Sequence, residues 1–197
     1  MATRVGLDRK EIIMAAAEIA DQEGLSKLTL KLVAQRLGVK TPSLYNHMEG
    51  LPELKRAMAV WGTQLLKETI SEAAIGKAKA EAVLAIAVAY RSFAHQRPGL
   101  YRAIIAAPDR ECVEQKEAIA SLMAVIKRVL KAYALPEDKH IHAVRGLRSM
   151  MHGFVTLEMA GWFVGAVEKE ESYLQLIATF VNGITLQSSA QTIDAGK

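Results

Sequence analysis

Cysteine is almost missing from this chain: Cys112 is the single one in 197 residues. A lone thiol excludes an internal disulfide and fits a reducing compartment. Long apolar runs are missing too. No stretch approaches the roughly 20 apolar residues that a membrane helix needs. The start, MATRVGLDRKE, has no hydrophobic segment of the signal-peptide kind. The expectation is a soluble, cytoplasmic protein without a membrane partner. Charge of one sign is scarce: the net is +4, and residues 1–50 hold seven Lys/Arg against six Asp/Glu. A bulk polycation is excluded, so any anionic partner must be met by position rather than by total charge.

Catalytic and metal-binding signatures are equally thin. The GKAK stretch at Gly76 is not a phosphate loop, because no G-x-x-x-x-G-K-[ST] occurs. His140 and His142 are two apart and fall on opposite sides of a helix, whereas ligation from a helix wants spacings of three or four. No nucleophile-elbow, zinc-hydrolase or dinucleotide pattern is present. No metal, no cofactor and no enzymatic activity are expected.

What remains is helical pattern, and strand-like alternation is lacking throughout. Half of the residues are apolar (51%), enough to bury a sizeable core. The decisive stretch is Thr29 to Met48, TLKLVAQRLGVKTPSLYNHM. Thr29 is an N-cap candidate. Leu30, Val33, Ala34 and Leu37 make one apolar face, and Gly38 supplies a left-handed C′ residue. Thr41 reads as a second N-cap, with Pro42 at the first helical position. The second helix, about Pro42 to His47, sets Ser43, Tyr45, Asn46 and His47 around one apolar anchor, Leu44. A helix this short cannot support itself. It must be held by neighbours with its polar rim outward, as in a helix-turn-helix, whose second helix enters the DNA major groove.

T-x-x-x-V-A-x-x-L-G-V from Thr29 to Val39 and S-L-Y-x-H from Ser43 to His47, with Leu54 beyond, resemble the TetR/AcrR group of bacterial transcriptional repressors. The likeness covers roughly the first fifty-five residues. Two positions depart from it: Met48 stands where an aromatic is usual, and Leu51 where a lysine commonly touches a phosphate. The segment His142 to Phe163 is similar to a C-terminal ligand-binding domain type of that family, named for its Trp, His and Gly residues. The resemblance implies an all-α protein of about nine helices. A three-helix DNA-binding domain (1–50) would precede a ligand-binding and dimerisation domain (51–188, with the fourth helix shared) and a flexible tail (189–197).

Residue by residue, Thr29 suits a phosphate at a helix start, and Lys31 is the best placed for a guanine. Thr41, Pro42 and Ser43 begin the reading helix. Tyr45 and His47 look like phosphate clamps, and Asn46 suits either job. Lys27 and Lys40 flank the site, and Arg4, Arg9 and Lys10 lie on an N-terminal arm. The bland alternatives are solvated lysines, a core Tyr45 and a plain surface His47.

The rest of the chain reads as helices over about 9–23, 52–74, 80–96, 100–106, 109–134, 137–165 and 168–187, punctuated by Pro98-Gly99, Pro108 and Pro136. Asp8 and Glu11 form a capping box for the first. The fourth carries a stripe of Leu54, Met58, Leu65 and Ile70. Gly146, Gly153 and Ala160 recur every seven positions, and the last helix presents Leu176, Ile177, Phe180, Val181 and Ile184. Two such helices from each of two chains would make a four-helix bundle, so a homodimer is expected. A small-molecule pocket is expected among Trp61, Tyr90, Phe93, Tyr101, Met123, Met150, His152, Glu158 and Trp162, although each is also an ordinary core type. Glu158 interrupts an apolar run and needs a partner, either an arginine such as Arg145 or Arg148, or a ligand. The reading is a repressor released from double-stranded operator DNA by a small-molecule effector. The alternatives are an effector-independent helix-turn-helix activator or architectural protein, and, further off, a catalytic body.

Overall fold

The computed structural model describes residues 7–106, 109 and 111–194, with side chains described through Ser188. Arg4 of the expected arm, Pro108 and the side chains of the expected tail lie outside that set. The described residues hold nine α-helices, one short 3-10 turn and no strand. They pack as two units. One comprises Met1–Leu65 with Gln96–Ile119, and the other Leu66–His95 with Ala120–Lys197. Two helices run from one unit into the other, and a third leaves only its last residue in the first.

In the first unit, α1 (Arg9–Glu23) begins with the expected capping box. The Asp8 carboxylate accepts the Glu11 N–H at 2.7 Å, and Glu11 accepts the Asp8 N–H at 3.2 Å. Its inner face buries Ile12, Ala16, Ile19 and Ala20. A 3-10 turn, Leu25–Lys27, leads to α2 (Leu30–Arg36), whose Thr29 hydroxyl accepts the Leu32 N–H at 3.2 Å. Gly38, at φ 66°, closes α2. The Val39 N–H reaches Ala34 O at 3.0 Å and the Gly38 N–H reaches Gln35 O at 3.2 Å, the paired bonds of a Schellman motif.

The next helix, α3, is Thr41–Leu44, shorter than the pattern suggests. Thr41 is not its cap. Lys40 accepts the first turn's bond, from the Ser43 N–H at 2.9 Å, so Lys40 occupies that position and Thr41 is already helical. Tight turns carry the chain on, with the His47 and Met48 N–H groups both reaching Leu44 O at 3.0 Å.

Helix α4 (Leu51–Ala74) passes from the first unit into the second. It buries Leu54, Met58 and Ile70 as expected, but Leu66 and not Leu65 continues the buried stripe. At about 100° per residue Leu66 lies about 80° round the helix from Met58 and Ile70 about 120°, so the buried side shifts around α4 along its length. Helix α6 (Pro98–Ile105) packs in the first unit against α1.

Helix α7 is Val113–Lys131, trimmed at both ends from the expected 109–134. At its start the Asp109 carboxylate takes the Glu111 N–H at 3.0 Å, a local bond that competes with helix. At its end the Tyr133 and Ala134 N–H groups turn back to Leu130 O and Lys131 O, and Ala134 sits at φ 50°. An alanine Cβ is penalised there, so Ala134→Gly is expected to stabilise the protein by about 0.5–1 kcal/mol in urea melts.

The second unit holds α5 (Lys79–Gln96, all but its last residue), α8 (Glu137–Met159) and α9 (Lys169–Asp194). Helix α5 buries Val83, Ile86, Ala87, Tyr90 and Phe93, whereas Leu84 and Val88 are each 41% exposed. Helix α8 stops before the expected Gly165 because Gly161, at φ 76°, builds a second Schellman motif. There the Trp162 and Gly161 N–H groups reach Leu157 O and Glu158 O, each at 3.0 Å. Ala160 therefore lies past the helix. Helix α9 continues to Asp194, beyond the expected end at Gln187. The buried Tyr173 hydroxyl donates to Ala87 O at 2.9 Å, and the Ser188 hydroxyl to Tyr133 O at 2.6 Å.

Candidate DNA-reading face and ligand cavities

The reading face is built around Leu44, which is 0% exposed. Leu28, Val33, Ala34 and Met48 are also buried, so four-residue α3 is held by its neighbours rather than by its own bonds. Around that anchor the polar residues stay outside. Pro42, Tyr45 and Asn46 are exposed, and Thr41, Ser43 and His47 are half-buried. Tyr45 at 57% exposure is no core aromatic. Lys27, Thr29, Lys31 and Lys40 are exposed as well. Two neighbouring cations are already committed. Arg36 binds Glu18 at 3.4 Å and Gln22 at 2.9 Å, and Arg9 binds Glu53 at 2.7 Å. Lys27, Lys31 and Lys40 have no ion pair within the described residues, which leaves their charge available to a phosphate backbone.

Helix α6 is fixed to this head by side chains that sequence reading did not single out. The Asp21 carboxylate of α1 accepts the Leu100 N–H at 2.8 Å and Arg97 Nε at 2.6 Å. It thus supplies the acceptor that the N-terminus of α6 lacks. A Cβ placed on Gly99 would lie 2.0 Å from the backbone carbonyl carbon of Ala20, and one on Gly62 of α4 would lie 2.8 Å from Leu100. Arg97 also lies over the Trp61 ring, 5.5 Å from its centroid.

In the second unit Glu158 is 8% exposed and fully paired. Arg91 of α5 grips both its oxygens, at 2.9 and 2.7 Å, and His95 Nε2 lies 2.8 Å from one of them. The expected partners, Arg145 and Arg148, are exposed instead. About three and four turns back on the same helix, they cannot reach a carboxylate aimed at another helix. Arg91 and His95 are four apart on α5, hence on one face, and that spacing was the available clue. The Arg91 hydrogen bonds hold the Glu158 carboxyl below the usual carboxylate range against the opposing effect of burial, with His95 adding to them. Burial, and then Arg148, lowers the His152 pKa.

The expected pocket residues fall in different surroundings. Tyr90, Phe93 and Tyr101 are buried, and Met123, Met150 and His152 are half-buried. Trp162 is 73% exposed and lines a hollow of about 270 Å³ with Phe154 and Phe163. Trp61 lines a cavity of about 800 Å³ in the first unit, with Ile13, Val60 and several charged residues. Cys112 lines the same cavity, its thiol donating to Glu114 at 3.3 Å. The described residues hold no group of three or more His, Cys, Asp or Glu able to bind a metal. None of their helices is long and apolar enough to cross a membrane.

The head matches the family model for bacterial regulatory proteins of the tetR family over residues 12–48, and residues 83–180 match a tetracyclin repressor-like C-terminal domain. The HTH-type transcriptional regulator YobS of Bacillus subtilis (strain 168) is 35% identical over 193 residues, 95% of this chain and 98% of that protein. The chain belongs to the TetR family. It is a transcriptional regulator, a class apart from enzymes.

Solved structures share the fold of this TetR-family regulator at lower identity. The TetR regulator SCO7222 from Streptomyces coelicolor superposes with a TM-score of 0.71 at 20% identity, covering 92% of this chain and 99% of that one. A single-substitution TetR variant from Acinetobacter baumannii AYE, in complex with minocycline, gives 0.63 at 21% identity, covering 93% and 96%.

Proposed function

We propose that this TetR-family regulator is a homodimeric repressor that leaves its operator when a small molecule binds. The observation that carries the DNA half is the outward polar rim of α3 around the fully buried Leu44, with three uncommitted lysines beside it. Thr41, Pro42 and Ser43 would meet base edges, while Thr29, Tyr45 and His47 would hold phosphates. Leu51, where the family's lysine is usual, removes one backbone contact from that scheme.

The effector half is supported by fold likeness to a regulator solved with minocycline. A repressor of this kind works through two states, and a ligand shifts operator affinity only by its differential affinity for them. The dimer is supported by the outer faces of α8 and α9, which leave Ile141, Leu157 and Leu186 exposed. Gly153 on α8 has open space where a Cβ would go. In the monomer Gly153→Ala is therefore harmless and favours helix. If a partner helix rests there, the substitution weakens the dimer, which sedimentation at falling concentrations measures.

The test of the whole reading is selection of bound fragments from genomic DNA, followed by anisotropy titrations on the recovered operator and a scrambled duplex. Lys31→Ala is expected to cost about 1–3 kcal/mol on the operator and to relax preference at one base pair. His47→Ala is expected to weaken both duplexes alike and flatten the salt dependence. Equal, salt-insensitive losses in both variants would count against these assignments.

A further inference from the structure

The unit that carries the reading head also holds the cavity of about 800 Å³, a volume that suits a drug-sized ligand. Its apolar lining is made by Ile13 of α1 and by Ala57, Val60 and Trp61 of α4. Among its described lining residues, five carboxylates (Glu49, Glu53, Asp109, Glu111 and Glu114) stand against three cations (Arg9, Lys10 and Arg56). Glu53 is held by Arg9 at 2.7 Å and Asp109 lies 3.7 Å from Arg56. Glu49, Glu111 and Glu114 line the same space with no ion-pair partner among the described residues, against one uncommitted cation, Lys10. The Glu114 carboxyl is held below the usual range, first by its own backbone N–H and then by the Cys112 thiol. Several negative charges around one partly enclosed space raise each other's energy and attract a cation into it.

We propose that this cavity is an effector site for a lipophilic organic cation. Its apolar body would rest on the Trp61 wall and its charge would sit among Glu49, Glu111 and Glu114. The proposal rests on the effector-release reading above and puts the ligand in the packing unit that reads DNA. The route to the head is short. Glu53 accepts the backbone N–H of Glu49 and pairs with Arg9, so it ties the start of α4 to the start of α1. Met48 and Leu44, which seat α3, come just before that joint. A cation drawn into these carboxylates competes with Arg9 for Glu53 and loosens the tie.

Tetraphenylphosphonium and tetraphenylborate share size and shape and differ in the sign of their charge. In a Trp162→Phe background Trp61 is the only tryptophan, since the chain has two. Tetraphenylphosphonium is expected to change Trp61 fluorescence saturably and tetraphenylborate to leave it unchanged. Glu111 and Glu114 are both exposed, so a Glu111→Gln/Glu114→Gln variant folds, as circular dichroism checks. It is expected to bind the cation about tenfold more weakly, a difference of roughly 1.4 kcal/mol. The cation is expected to lower the operator affinity of the native protein, and to lose that effect in the double variant. Absence of a saturable change, equal binding of the borate, or indifference to the double variant overturns the site. Binding that needs both glutamates but leaves operator affinity unchanged overturns the effector role alone. A ligand-free protein that binds no operator removes the regulator reading, and the effector role falls with it.

Discussion

Gly99→Ala is expected to destroy the packing of the DNA-reading unit. The added Cβ would lie 2.0 Å from the carbonyl carbon and 2.1 Å from the carbonyl oxygen of Ala20. Both are backbone atoms inside a helix, so no rotamer change relieves the clash and α6 must lift off α1. With it go the Asp21 bonds to the Leu100 N–H and to Arg97. Ordinary overpacking costs about 1–3 kcal/mol because side chains yield. Here none can, so about 4 kcal/mol or more is expected, in the diagnostic tail of single substitutions. Urea melts at neutral pH would show it, together with faster hydrogen exchange along α1 and α6. Gly183→Ala is the control, since nothing lies within 4 Å of its Cβ position. A Gly99→Ala protein as stable as that control would refute the close approach of the two helices.

Arg91→Met is expected to have the second-largest effect, about 3–5 kcal/mol, because it strands the Glu158 carboxylate with only the half-exposed His95 beside it. The Glu158 side chain is 5% exposed and Arg91's 21%, so solvent does little to soften the loss. The pair also dictates a pH dependence. The folded-state pKa of Glu158 is depressed, so the unfolded chain takes up this proton at a higher pH than the native one. The pair's stabilisation is therefore fully present above the ordinary carboxylate range and is lost as pH falls through the depressed value. Native protein should lose stability on acidification over that interval, whereas Glu158→Gln should lack this part of the slope. Urea melts across the acid range test this, urea being uncharged and leaving ion pairs unscreened. A native slope identical to that of Glu158→Gln would show that the carboxylate titrates normally.

Much of the reading face could be read from residues a turn or two apart. The Asp8–Glu11 box, the Thr29 cap and the Gly38 closure are each satisfied within five residues of chain, so local pattern suffices for them. The outward rim of α3 followed from one apolar residue in a run of polar ones. Thr41 was misplaced by one position because a threonine before proline looks like a cap, while the hydrogen bond that decides the matter runs to the backbone of Lys40. Gly161 is a legible stop signal for α8, masked in the sequence by the apolar Trp162, Phe163 and Val164 that follow it.

Partners across the fold behaved differently. Glu158 had to be paired, since a bare buried carboxylate is too costly, but its partners sit 67 and 63 residues away. Asp21, which no local pattern marks, accepts the N–H of Leu100, 79 residues on, at the start of α6. The chain's own chemistry therefore set its class, its helices, their caps and the outward polar edge proposed to meet DNA, because each depends on bonds closed within a turn or two. Which glycine lets two helices touch, which arginine answers a buried acid and which carboxylates are left facing a cavity were settled by how the helices rotate and cross. Those angles come from the packing of whole faces, and no short stretch of chain contains them.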